Sequence, residues 1–157
     1  MDEIKIAQIC LAVPTLKKYF AGVLPRGYYP KHLEKNTFLI YNNQLDSQYG
    51  DHWLLVFYHE FETVFMDSFG WSESFYEYYN IVERNGVPCV RNVRQIQNEF
   101  SSVCGHHCIF VAYHLAKGFK FNAITEKLYS RNTTYNDKLV FDFVEKLTWK
   151  YLKTSSM

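Results

Sequence analysis

Gln97-Asn98-Glu99-Phe100-Ser101-Ser102-Val103-Cys104-Gly105-His106-His107-Cys108-Ile109-Phe110-Val111-Ala112-Tyr113-His114-Leu115 passes from a polar loop into an apolar run of helical character at Cys104. The first amides of a helix lie outside its own hydrogen-bond ladder and carry partial positive charge, so a cysteine at this point gains help toward the thiolate and has oxyanion donors beside it. Cys104 is therefore a candidate nucleophile. The competing expectation is a buried thiol that acts only as a small hydrophobe.

Outward from this helix, Thr37-Phe38-Leu39-Ile40-Tyr41 predicts a short strand, His52 to His59 a second and Thr63 to Asp67 a third. The second is too continuously apolar for a half-solvated edge and belongs in the middle of a sheet covered on both sides. Glu3 to Phe20 has helical spacing interrupted by Pro14, which ends one helix or starts another. Ala21 to His32, with Gly22, Pro25, Gly27 and Pro30, predicts a loop. Phe75, Tyr76, Tyr79 and Val82 predict a helix over Ser72 to Glu83, with Ser72 or Ser74 as its cap, and Cys89 to Ile96 predicts an edge strand. The nucleophile helix runs to Lys117 and stops at Gly118; Leu139, Val140, Phe143, Val144 and Leu147 mark a final helix. The expected fold is α+β: a small, mostly antiparallel central sheet against a buried nucleophile-bearing helix, with peripheral helices, in one domain spanning 1–157.

An apolar share of 48%, with 18% aromatic residues, excludes a disordered chain. A net charge of +1 offers no overall electrostatic capture of nucleic acid or anionic membrane. No stretch reads as a signal peptide or membrane span, so the chain is expected to be intracellular and reduced, with no membrane partner. Cys104 shares a helix face with His107 and Cys108, but zinc would want a fourth ligand nearby, and no metal is assigned.

A cysteine nucleophile needs a histidine to take the thiol proton, a group that orients the histidine ring, and oxyanion donors. His52 opens the central strand, and Asp67 ends the next one. A hairpin returns those two ends to the same sheet edge. Alone, His52 reads as a structural histidine and Asp67 as the start of an Asx turn. Gln97, seven residues before Cys104, is a neutral donor able to meet an oxyanion without repelling a thiolate; alone, it reads as a solvent-facing loop residue. His59 sits at the wrong strand end, His106 is too close in sequence to face Cys104, and His107, one turn on, is a substitute base or ligand. Trp53 is expected to shield the ring of His52. Gly105 is expected to leave room for a substrate backbone.

Gly50-Asp51-His52-Trp53, Asp67-Ser68-Phe69-Gly70-Trp71-Ser72 and Gln97 followed after six residues by Cys104-Gly105 resemble the adenovirus processing protease (adenain) family. That family lies within the clan of cysteine proteases that includes the SUMO and ubiquitin-like-protein proteases. The resemblance covers roughly residues 36–117. It implies His52 as general base, Asp67 as its orienter, Gln97 as oxyanion donor and Cys104 as nucleophile, in an endopeptidase that processes viral or virus-like element precursor proteins during virion maturation. It implies a host-nuclear or virion location. The acid is Asp67 where adenoviral enzymes have glutamate, and the chain is shorter after the nucleophile helix.

The chemistry requires no cofactor, but the family's activation by a disulfide-linked peptide and by DNA makes both possible partners. Cys89 resembles the cysteine that holds the peptide, with a shorter gap to Gln97; Lys17, Lys18, Arg26, Lys31, Arg91 and Arg94 would supply phosphate contacts. Two alternatives use the same chain differently. One is an isopeptidase acting on ubiquitin-like proteins, and the other is an inactive protease fold serving as a binding or structural protein.

Overall fold

Strand Trp53–Tyr58 is buried along its entire length and forms the spine of a five-stranded sheet. Its alternation sends Trp53, Leu55 and Phe57 into the main core beneath the helices, while Leu54, Val56 and Tyr58 join Leu39, Tyr41 and Phe65 in a second cluster on the other face. The continuous apolar run thus serves two cores. The computed structural model describes residues 1–26, 28, 30, 34–43, 52–71 and 86–153. The helix expected over Ser72 to Glu83, the Gly50-Asp51 pair and Lys31 lie outside the described residues.

The strands are β1 (Phe20–Pro25), β2 (Thr37–Asn42), β3 (Trp53–Tyr58), β4 (Thr63–Met66) and β5 (Cys89–Arg91), in spatial order β1-β2-β3-β4-β5. β3 is antiparallel to both neighbours, whereas β1 joins β2 and β5 joins β4 in parallel. The sheet is therefore mixed, and the expectation of a mostly antiparallel one holds only for its centre. A close hairpin forces the antiparallel β3–β4 pair; the outer strands arrive by longer connections, which permit the parallel sense.

Two boundaries differ from the sequence expectation. Residues 20–25, within the predicted loop, form the edge strand β1: Gly22 at φ +150° accommodates a register shift, and Pro25 closes a strand at an edge, where proline is tolerated. The strand expected over Cys89 to Ile96 stops at Arg91. Beyond it the side chain of Asn92 replaces the ladder, donating to the Asp67 carbonyl at 2.6 Å and accepting from the Asp67 amide at 3.2 Å.

Helix α1 (Glu3–Ala12) is capped by Asp2, whose Oδ1 accepts from the Lys5 amide, and Pro14 takes the first position of the short α2 (Pro14–Lys17). The helix that begins at Cys104, α3 (Cys104–Ala116), packs on β3 and is buried at ten of its residues. A short helix, α4 (Phe121–Ala123), runs into a π-helical turn at Ile124–Leu128. Helix α5 (Thr133–Thr148), capped by Asn132, lies against α3 and continues into a second π-helical turn, Trp149–Lys153. The architecture is a small α+β fold with flanking helices. Among the described residues no helix is long and apolar enough to cross a membrane.

Candidate active site

The antiparallel register pairs Leu55 with Met66, so His52, just before β3, and Asp67, just after β4, emerge at the same end of the sheet. They meet there: His52 Nε2 lies 2.9 Å from Asp67 Oδ1. Asp67 is fully buried, and its carboxylate also builds the following turn, accepting from the Phe69 amide at 2.9 Å and the Trp71 amide at 3.2 Å. One carboxylate therefore both builds the Asx turn and bonds the ring of His52. Gly70 keeps this turn tight at φ +85°, where an added Cβ would lie 3.0 Å from the Gln95 amide nitrogen. The ring of Phe69 stacks on His52 at 4.9 Å between centroids.

Burial alone would lower the pKa of His52, but the Asp67 carboxylate bonded to its ring, with the Cys104 side chain nearby, outweighs it and raises it to about 9. Asp67 and Cys104 thus both bear on the charge of His52. Cys104 is the first residue of α3 and is buried. The helix starts here because Val103 leaves helical geometry, placing the cysteine at the amide-rich end.

Gln97 is fully buried, not solvent-facing. Its Oε1 accepts from Ser68 Oγ at 2.5 Å, and its Nε2 faces the Ser101 carbonyl at 3.0 Å and Ser101 Oγ at 3.1 Å. The backbone amides of Ile96 and Gln97 both donate to the Ser68 carbonyl. Ser68, the residue after Asp67, thereby fixes both the backbone and the amide orientation of Gln97. Ser68 and Ser101 were legible in the sequence only as turn and loop residues. Their role depends on contacts across about thirty positions in the case of Ser68.

The other candidates are placed in structural surroundings. His107 is fully buried, with Nδ1 2.8 Å from the Tyr129 hydroxyl and Nε2 2.9 Å from Asp137 Oδ1, so it is committed away from Cys104. His106 stacks on Phe141, and burial, followed by the N-terminal charge and His107, lowers its pKa to about 4. His59 stacks on Phe57 at the opposite end of β3. Cys10 and Cys108 are buried thiols, that of Cys10 pushed up to about 12 by burial. Cys89 is half-buried and pairs with Thr63, at the end of β4 far from Asp67.

The room expected at Gly105 is already filled by protein. An added Cβ would lie 3.3 Å from Trp53 Cδ1, 3.4 Å from Ile6 Cδ1 and 3.7 Å from Met1 Cβ. Gly105 permits α3 to close on Trp53 and α1. Trp53 is itself buried, its indole N–H donating to the Met1 carbonyl at 3.1 Å. A cleft of about 770 Å³ opens at the other end of the sheet, beside His59, Phe61 and Phe119, and none of His52, Asp67, Gln97 or Cys104 lines it. Among the described residues no three His, Cys, Asp or Glu side chains converge as a metal cage requires.

No protein-family model matches the chain, and a search of the curated proteins finds no match.

Proposed function

We propose that the chain is a cysteine endopeptidase of the adenain type that hydrolyses peptide bonds in precursor proteins of a virus or virus-like element. The observation that carries the reading is the ring of His52, bonded to Asp67 through Nε2 at 2.9 Å, with the side chain of Cys104 near enough to help raise its pKa. The viral and precursor part rests on the resemblance of the His52-Trp53, Asp67-to-Ser72 and Gln97-to-Gly105 motifs.

With Nε2 held by Asp67, Nδ1 is the ring nitrogen that exchanges protons. His52 takes the thiol proton, and the thiolate of Cys104 attacks the scissile carbonyl carbon to form the C–S bond. The carbonyl oxygen becomes an oxyanion, met by the Cys104 amide and by Gln97. The two acceptors on Ser101 can share one hydrogen of the Gln97 amide in a three-centre bond, leaving the second for the oxyanion. The tetrahedral intermediate collapses, the C–N bond breaks, and His52 protonates the leaving amine. Water then gives a proton to His52, attacks the thioester and releases the acid, restoring the thiol.

The test is an electrophilic peptide that labels Cys104, located by mass spectrometry, alongside peptide hydrolysis. Cys104→Ala is expected to lose both. Continued hydrolysis by that variant overturns the assignment.

A further inference from the structure

We propose that Asn136 and Asp137, in the first turns of α5, are positioning residues that hold the segment around Gln97 against the helix carrying Cys104. The inference rests on the cysteine-hydrolase reading and adds two residues to which no motif in the sequence drew attention.

The two side chains grip the backbone on either side of Gln97. Asn136 Nδ2 donates to the Ile96 carbonyl at 3.1 Å, and Asp137 Oδ2 accepts from the Asn98 amide at 3.2 Å. Asn136 is fully buried and otherwise fastened to Ser130, donating to its carbonyl and accepting from its amide, each at 2.8 Å. It has no freedom to follow a moving loop. The second oxygen of Asp137 lies 2.9 Å from His107 Nε2, one helical turn beyond Cys104. A single carboxylate therefore spans the oxyanion segment and the nucleophile helix.

One proton placement satisfies this network. An ionised carboxylate only accepts, so His107 donates from Nε2. Burial keeps His107 neutral, its Nδ1 must then accept, and the donor is the phenol of Tyr129, which burial keeps protonated. Every member of the chain Asn98–Asp137–His107–Tyr129 is satisfied in one arrangement. Ser68 holds the same segment from the opposite side through the Ile96 and Gln97 amides. Gln97 thus sits in a backbone vice between the β4 turn and α5. An oxyanion donor displaced by a fraction of an ångström loses most of its effect, which gives this bracing a kinetic consequence.

Two reactions of Cys104 separate positioning from general damage. Alkylation by iodoacetamide needs the thiolate but forms no oxyanion; acylation by a peptidyl-glycine p-nitrophenyl ester needs both. Asp137→Ala is expected to lower kcat/KM for the ester about 10- to 100-fold while Cys104 alkylation stays within about twofold of the wild-type rate. Asp137→Asn should restore most of the loss, because its amide can accept from Asn98 and donate to His107 in the other tautomer. On a Gln97→Ala background the Asp137→Ala change should cost little more, since residues acting through one group are non-additive.

Thermal unfolding checks that each variant is folded; if Asp137→Ala is not, Asp137→Ser, too short to span both partners, takes its place. Full ester turnover in the folded variant, a parallel fall in alkylation and acylation, or full additivity with Gln97→Ala overturns the positioning role alone. A wild-type chain that hydrolyses neither ester nor peptide overturns the hydrolase reading and this inference with it. Loss of turnover in Asp137→Ala with no loss in Gln97→Ala overturns the route through Gln97.

Discussion

At the scale of single residues, the charge on His52 is set by competition. Burial disfavours the imidazolium, and Asp67 with Cys104 restores it, leaving a pKa of about 9. A folded-state pKa above the unfolded value of about 6.5 contributes stability that is fully present below pH 6.5 and is lost as pH rises through about 9, on the order of 3 kcal/mol at most. For the proposed reaction the same shift keeps the leaving-group acid protonated through neutral pH. The alkaline limb of kcat/KM is therefore expected near pH 9 and, in Asp67→Asn, at lower pH, because the carboxylate that raises His52 is gone. A pH–rate titration of both proteins checks this; an unmoved limb would detach Asp67 from His52 function.

At the scale of elements, α3 is held by close approach at its first turn. Gly105 sits where a methyl group would press on Trp53 and Ile6, both buried and unable to withdraw into solvent. Alanine has the higher helix propensity, yet the contacts at 3.3 and 3.4 Å favour strain over that gain. Gly105→Ala is expected to lower the unfolding free energy by about 1 kcal/mol, measurable by urea titration; a more stable variant would show that Trp53 and α1 shift freely. The segment between β5 and α3 has little regular structure of its own. Its form comes from side chains that replace ladder bonds: Asn92 on Asp67, Ser68 on Gln97, and Asn136 on Ile96.

At the scale of the whole molecule, the middle of the sheet, β2 to β4, is buried on both faces, and one continuous core joins β3, α1, α3 and α5. Ile109 lies in that core with no exposed surface. Ile109→Ala is expected to cost about 2–5 kcal/mol, seen as a lower urea midpoint with an unchanged slope. A loss below about 1 kcal/mol would mean that α3 is not docked on the sheet as described. The site depends on this docking, since His52 and Asp67 come from the sheet and Cys104 from the helix.

By itself the sequence determined the elements whose signal is local. The six apolar residues of β3 announced burial on two faces; Pro14 divided the first helix; the change from polar to apolar at Cys104 marked the start of α3. The pairing of His52 with Asp67 was also legible, because a hairpin of two strands permits few registers. Tertiary structure alone decided the rest. β1 exists because β2 offers it an edge, despite Gly22 and Pro25, and Gln97 is buried because Ser68 and Ser101 replace its water. Asn136 and Asp137 bear on Gln97 only through contacts about forty positions apart in sequence. Hydrogen bonds of that kind leave no periodicity behind, and only the folded chain reveals them.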